Sequence, residues 1–230
     1  MHWSHEIPEA VLAALRFELG LEAAIGKFFG MSHVFDPQPI HLAGRFVRLE
    51  PLTMGHAAGL FAASQHEAIW RWLPIPMFGS VATVEAYISD ALREQVGGGT
   101  VAFATVRQSD GKAVGSTRFL DIRRPHRALE IGWTWLAIEA QRTPINTEAK
   151  FLLLQHAFEV QGAIRVQLKT DERNEKSRAA ITRLGAVFEG ILRNFQTRAH
   201  DGYVRNTAMF SITETEWPAA KAGLLAKLAR

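Results

Sequence analysis

Strand-like and helix-like runs follow one another along the chain in the order strand, two helices, three strands, helix, strand, helix, two strands, helix. This order limits the fold more than any single motif does, because such alternation implies an α/β or α+β sandwich around a mixed sheet. In the first strand Phe46, Arg48 and Glu50 alternate with Val47 and Leu49. Thr53 then caps a helix to about Gln65, and Ser80 or Thr83 starts another that runs through Gln95 and stops at Gly97–Gly99. Thr100–Arg107 and Ala113–Ile122 form a hairpin about a turn at Ser109, Asp110 and Gly111, with "ALEIGWTWLAI" as a third antiparallel strand. The aromatic segment "HEAIWRWLPIPMFGS" is either a packed connector or the mobile wall of a cleft.

The start of the third predicted helix is unusual. In "EAQRTPINTEAKFLLLQHAFE", Glu139–Glu159, apolar residues recur at Phe151, Leu154 and Phe158 and again at Leu152 and Ala157, which is helical spacing. A helix entered through a tight polar turn is an anion site, because its first N–H groups lack partners within the helix and its dipole adds positive charge there. Glycines usually line such turns, whereas here Thr143, Pro144, Ile145 and Asn146 do. Proline removes one N–H, yet it suits the first helical position. With Thr143 as cap, the amides of Ile145, Asn146 and Thr147 are expected to remain free. Arg142 and Lys150 either add charge to this entrance or are ordinary surface groups. Beyond the helix come a strand at Ala163–Asp171, a helix in "RNEKSRAAITRLGA" ended by Gly185, two strands about His200–Gly202, and a closing helix from about Glu214 to Leu228.

Composition removes several function classes. The chain has no cysteine, so disulfides, thiol catalysis and cysteine-ligated zinc are excluded, and the nine histidines show no paired metal spacing. No metal is expected. The formal charge is only +3 although arginines crowd the second half. Those arginines are either a solvated surface or the receptor of a small polyanion, and nucleic acid is not the expected partner. Residues 1–38 read as an N-terminal helical extension that packs on the body or on a second subunit, giving a homodimer. Arg16, Glu18, Glu22 and Lys27 interrupt its apolar run, so a membrane span is not expected, nor is a signal peptide. A cytoplasmic protein is the resulting expectation, with residues 39–230 as its main domain.

Three motifs over about Leu42–Trp217 resemble the GNAT superfamily of acyl-CoA N-acetyltransferases, in its RimJ/RimL-like branch. They are "EIGWTWL" followed by "EAQRTPINTEAK", then "TDERNEKSRAAITRLGA", then "HDGYVRNTAMFSITETEW". The resemblance implies a mostly antiparallel central sheet flanked by helices, with a splay between two parallel strands, here Glu130–Leu136 and Ile164–Asp171. It implies acetyl-CoA as cosubstrate, its pyrophosphate held by Gln141, Arg142, Thr143, Ile145, Asn146 and Thr147 and its pantetheine arm by Trp135, Leu136, Asn174 and Ser177. The family loop carries small residues where Pro144 and Asn146 stand.

The same resemblance implies direct attack by a primary amine, of a small molecule or a protein N-terminus, with a β-strand N–H polarising the thioester carbonyl. Glu130 is then the base, acting through water, or else half of a strand-end ion pair with Arg118 or Arg127. Ser177 is the acid for the leaving thiolate, or else Asn174 and Ser177 merely cap a helix. The tyrosine that other branches use as acid falls at Ile181. Trp72 and Trp133 are assigned to substrate contact. A competing expectation is a non-catalytic acyl-CoA-binding or partner-binding module with the same fold.

Overall fold

The computed structural model describes residues 34–229. The expected N-terminal helix and the dimer contact expected of it fall on residues outside those described. One eight-stranded sheet organises the chain, in the order β1-β2-β3-β4-β5-β6-β8-β7. The strands are β1 (Leu42–Ala43), β2 (Val47–Pro51), β3 (Val101–Arg107), β4 (Ala113–Arg123), β5 (Ala128–Leu136), β6 (Arg165–Asp171), β7 (Val187–Thr197) and β8 (Val204–Thr213). Five α-helices join them: α1 (Ala57–Ala63), α2 (Val81–Val96), α3 (Pro144–Gln155), α4 (Glu175–Arg183) and α5 (Trp217–Leu228). The sheet is mixed, as the element order implied, and mostly antiparallel, as the resemblance implied; β1 is the addition, too short to leave a periodic signal.

Period-two alternation assigns the sheet two buried faces. In β3, Val101 and Phe103 join a core with Leu153 and Leu154 of α3 and Leu224 of α5. The intervening Ala102, Ala104 and Val106 join a second core with Leu60 of α1 and Val84 and Ile88 of α2. Each large side chain removed from water this way contributes on the order of 1.5–3 kcal/mol. The connector between α1 and α2 belongs to this second core through Ile69, Trp70 and Phe78, so its packed reading holds for those three residues.

Two departures from regular pairing open and shape a cleft in the sheet. The only parallel pair among the described strands, β5 with β6, is matched over Ala128–Glu130 against Arg165–Gln167, while β5 runs on to Leu136 and β6 stays with β8 as far as Asp171. Past Glu130 the two strands therefore diverge, and β5 presents backbone to an open wedge. The second departure is a β-bulge. Pairing of β4 with β5 passes from Ser116↔Trp135 to Arg118↔Gly132, so Trp133 and Thr134 together face Thr117, and Trp133 adopts the left-handed φ of 49°. At the far end of α3 the helix widens into a π turn, His156–Val160.

Candidate active site

The wedge between β5 and β6 opens toward the entrance of α3. Thr143 is the N-cap, extended at φ −109° and ψ 171°, and Pro144 is the first helical residue. The Thr143 hydroxyl accepts the Ile145 N–H at 3.3 Å and donates to the Ala140 carbonyl at 2.7 Å. Ile145 is thus not a free donor, contrary to expectation, because its own cap has taken it. The amides of Arg142, Thr143 and Asn146 are without a backbone partner among the described residues. Arg142 reaches this arrangement by adopting φ 61°. A concavity of about 370 Å³, lined in part by Arg45, Arg107, Thr143, Pro144 and Ile145, adjoins the entrance.

Gln141 spans the loop. Its amide donates to the Leu136 carbonyl at 2.9 Å, and the Lys176 ammonium of α4 donates to its oxygen at 2.5 Å. The β5–α3 loop and the start of α4 are thereby joined across the outer end of the wedge. Asn174 caps α4, its side chain accepting the Ser177 N–H at 3.1 Å, which is the capping reading of that motif; Ser177 stands half-buried in the first turn. Ile181 is buried in the core and offers no proton.

Glu130 ends the paired segment of β5 and is 1% exposed. It pairs with neither Arg118 nor Arg127: the Lys169 ammonium stands 2.9 Å from its carboxylate, and Gln167 donates to it at 3.1 Å. A Cβ at Gly132 would lie 2.6 Å from the same carboxylate, so glycine is what lets Glu130 fold over its own strand. Arg118 is instead held by Glu94 at 3.0 Å and lies over the rings of Trp133 and Tyr87, at 4.6 and 4.8 Å. Trp72 is half-exposed beneath Arg173, which also caps Tyr203 and pairs with the buried Asp171. Trp135 packs at a tilt against Trp70 and edge-on against Phe78 in the second core, so its side chain is packing material rather than cleft lining.

Two charged residues of α3 face inward, and helical periodicity gave no sign of either. Glu148 reaches back to the β1–β2 turn and accepts the backbone N–H groups of Arg45, Phe46 and Val47 at 2.8, 2.6 and 2.8 Å. Lys150, read from sequence as an entrance or surface cation, is neither. It is 5% exposed, under β5, donating to Thr134 at 2.5 Å and Thr117 at 3.2 Å. Burial pulls its ammonium down from the ordinary lysine value to about 7, against the opposing pull of Glu130.

That displacement has a sign in stability. Between pH 7 and 10.5 the unfolded chain keeps a proton that the folded chain has lost, so wild-type stability rises with pH across that window. Relative to a Lys150→Met variant, the wild type is expected to gain about 2 kcal/mol between pH 7 and 9, at 1.36 kcal/mol per unit of displacement. Urea unfolding of both proteins at the two pH values checks this; parallel curves would show that the lysine stays charged.

Similarity to known proteins agrees with this geometry. The family model described as the acetyltransferase (GNAT) domain matches residues 47–187. Among curated proteins, YdaF of Bacillus subtilis, provisionally named a ribosomal N-acetyltransferase, is 32% identical over 117 residues, a stretch covering 49% of this chain and 60% of YdaF. A GCN5-related N-acetyltransferase from Brucella melitensis superposes with a TM-score of 0.78 at 33% identity, over 83% of this chain and 86% of that one. RimJ of Mycobacterium smegmatis, solved in complex with CoA-disulfide, gives a TM-score of 0.68 at 25% identity over 83% and 93% of the two chains. The overall fold is therefore shared with these proteins, and this chain belongs to the GNAT acetyltransferase family.

Proposed function

We propose that the protein is an acetyl-CoA-dependent N-acetyltransferase that acts on a primary amine by direct attack. The observation that carries this reading is the wedge between β5 and β6, which leaves the β6-facing edge of β5 without a strand partner from Ile131 onward and leads to a helix entrance with open amides. Backbone N–H groups of β5 are suited to polarise a carbonyl placed in the wedge, a fixed dipole that needs no reorganisation during reaction. The open amides of Arg142, Thr143 and Asn146 suit a diphosphate, with the α3 dipole behind them. Pro144 removes one N–H that such an entrance would otherwise offer, but at the first helical position it breaks no intrahelical bond and leaves the neighbouring amides open.

Acetyl-CoA supplies an acetyl group activated as a thioester. On this reading the amine nitrogen bonds to the acetyl carbon as the carbon–sulfur bond breaks. Glu130 takes the proton lost by the amine through a water, and Ser177 returns a proton to the thiolate. Among acceptors, a ribosomal protein is favoured by the name of YdaF, and an α-amine over a lysine by chemistry. At pH 7 an α-amine of pKa about 8 costs roughly 1.4 kcal/mol to deprotonate, a lysine of pKa about 10.4 roughly 4.6.

Calorimetry with acetyl-CoA, followed by release of free thiol against a panel of peptides and small amines, tests the proposal. Saturable binding together with acceptor-dependent release is expected. Binding without release for every amine would favour a non-catalytic acyl-CoA-binding module, and no binding would remove both readings.

A further inference from the structure

We infer that Lys150 is a positioning residue for the β5 backbone at the wedge, acting through Thr134 and Thr117. The inference rests on the reading of the wedge as a thioester site, but concerns a residue that touches neither cosubstrate nor acceptor.

A bulge leaves backbone groups without ladder partners, and a buried carbonyl without a partner costs roughly 1–3 kcal/mol. Here Trp133 and Thr134 both face Thr117, and the Gly132 carbonyl lies where the register with β4 shifts, next to Arg118 in the ladder. The hydroxyls of Thr134 and Thr117 lie 3.4 and 3.5 Å from that carbonyl and 2.8 Å from each other. The Lys150 amine donates to both hydroxyls, so one can pass its proton to the other and that one to the carbonyl. No donor in the cluster is wasted, and the amine closes it from the helix side.

Packing alone does not explain a lysine there. The inward neighbours of Lys150 on α3 are Ile145, Ala149, Leu153 and Leu154, all buried in the first core. A methionine would fill the same channel without the cost of desolvating an amine, whose size shows in the fall of its pKa. What the amine adds is a directional tie between helix and strand. Lys150 follows Asn146 by four residues, on the same side of α3, so the open entrance amide and the bulge belong to one braced unit. Holding a backbone dipole within a fraction of an ångström is where such bracing tells, since a misplacement of 1 Å can cost about a hundredfold in rate.

The test needs no acceptor. Full-length wild type, Lys150→Met, Thr134→Val and Thr117→Val are each saturated with acetyl-CoA carrying a carbon-13 carbonyl, and the carbonyl stretch of the bound thioester is read by isotope-edited infrared spectroscopy. The wild type is expected to shift the band to lower frequency than in water. In Lys150→Met the band is expected to return toward the free value while Kd stays within about threefold, a difference of about 0.7 kcal/mol or less. The two threonine variants keep the question answerable if the lysine variant folds poorly, and should move the band the same way. An unshifted band in the variants relative to wild type, with binding retained, would overturn the positioning role alone. Failure of the wild type to bind acetyl-CoA would overturn the thioester reading and this assignment with it.

Discussion

Glu148→Ala is expected to lower the unfolding free energy by roughly 3–5 kcal/mol, among the largest losses available to a single side chain in this protein. The carboxylate accepts three successive backbone N–H groups, from Arg45, Phe46 and Val47, and the Val47 bond is fully buried. Hydrogen bonds to a charged acceptor contribute roughly 1.5–3 kcal/mol each, and a buried N–H left alone forfeits its full hydration. The turn amides of Arg45 and Phe46 can recover water once the carboxylate is gone, which keeps the total below three full bonds. At roughly 2–4 °C per kcal/mol for a chain of this size, the melting temperature should fall by about 6–20 °C. Gly44→Ala should act through the same contact, because its Cβ would stand 2.3 Å from the Glu148 carboxyl carbon. Thermal and urea unfolding of both variants measures the loss; a change under about 1 kcal/mol would mean that the turn rehydrates without cost. Because Arg45 and Phe46 line the concavity beside Thr143 and Pro144, loosening this turn should also weaken acetyl-CoA binding.

Glu148 also marks where the sequence stopped being legible. The element order and the period-two strands gave the sheet, and the Thr143-Pro144 pair gave the cap and first residue of α3, because these signals are local: caps, prolines and alternation act within a few residues of chain. The inward-facing charges of the same helix were unreadable because their partners are remote, the β1–β2 turn for Glu148 and Thr117 and Thr134 for Lys150. A charged residue on a helix is ordinarily a solvent group, and only the tertiary fold shows otherwise. The Ile145 amide was misjudged on a finer scale, since counting free N–H groups cannot say whether the cap's own hydroxyl will bend to take one. The sequence offers Glu130 as a base or as half of an ion pair with Arg118 or Arg127, whereas its partner is Lys169 on the neighbouring strand, a cross-strand pairing that nothing nearby in sequence announces.

That pairing decides how Glu130→Gln should be read. On the proposed mechanism the substitution is expected to lower acetyl transfer by about 10²–10⁴-fold, the usual contribution of a general base, with acetyl-CoA affinity little changed. Lys169 offers a competing explanation, because removing the carboxylate strips a partly buried ammonium of its counter-charge and a purely electrostatic role would also cost activity. The pH profile separates the two. If Glu130 relays the amine's proton, the deficit of Glu130→Gln should shrink once the solution itself deprotonates the acceptor, at about pH 8 and above for an α-amine and only above about pH 10 for a lysine. If Glu130 serves only to neutralise Lys169, the deficit should persist at every pH, and Lys169→Met should restore much of the lost rate in the Glu130→Gln background as an unpaired charge is removed. The base assignment stands on the first outcome and falls on the second. The pH at which recovery begins would in addition identify the class of amine that this cleft accepts.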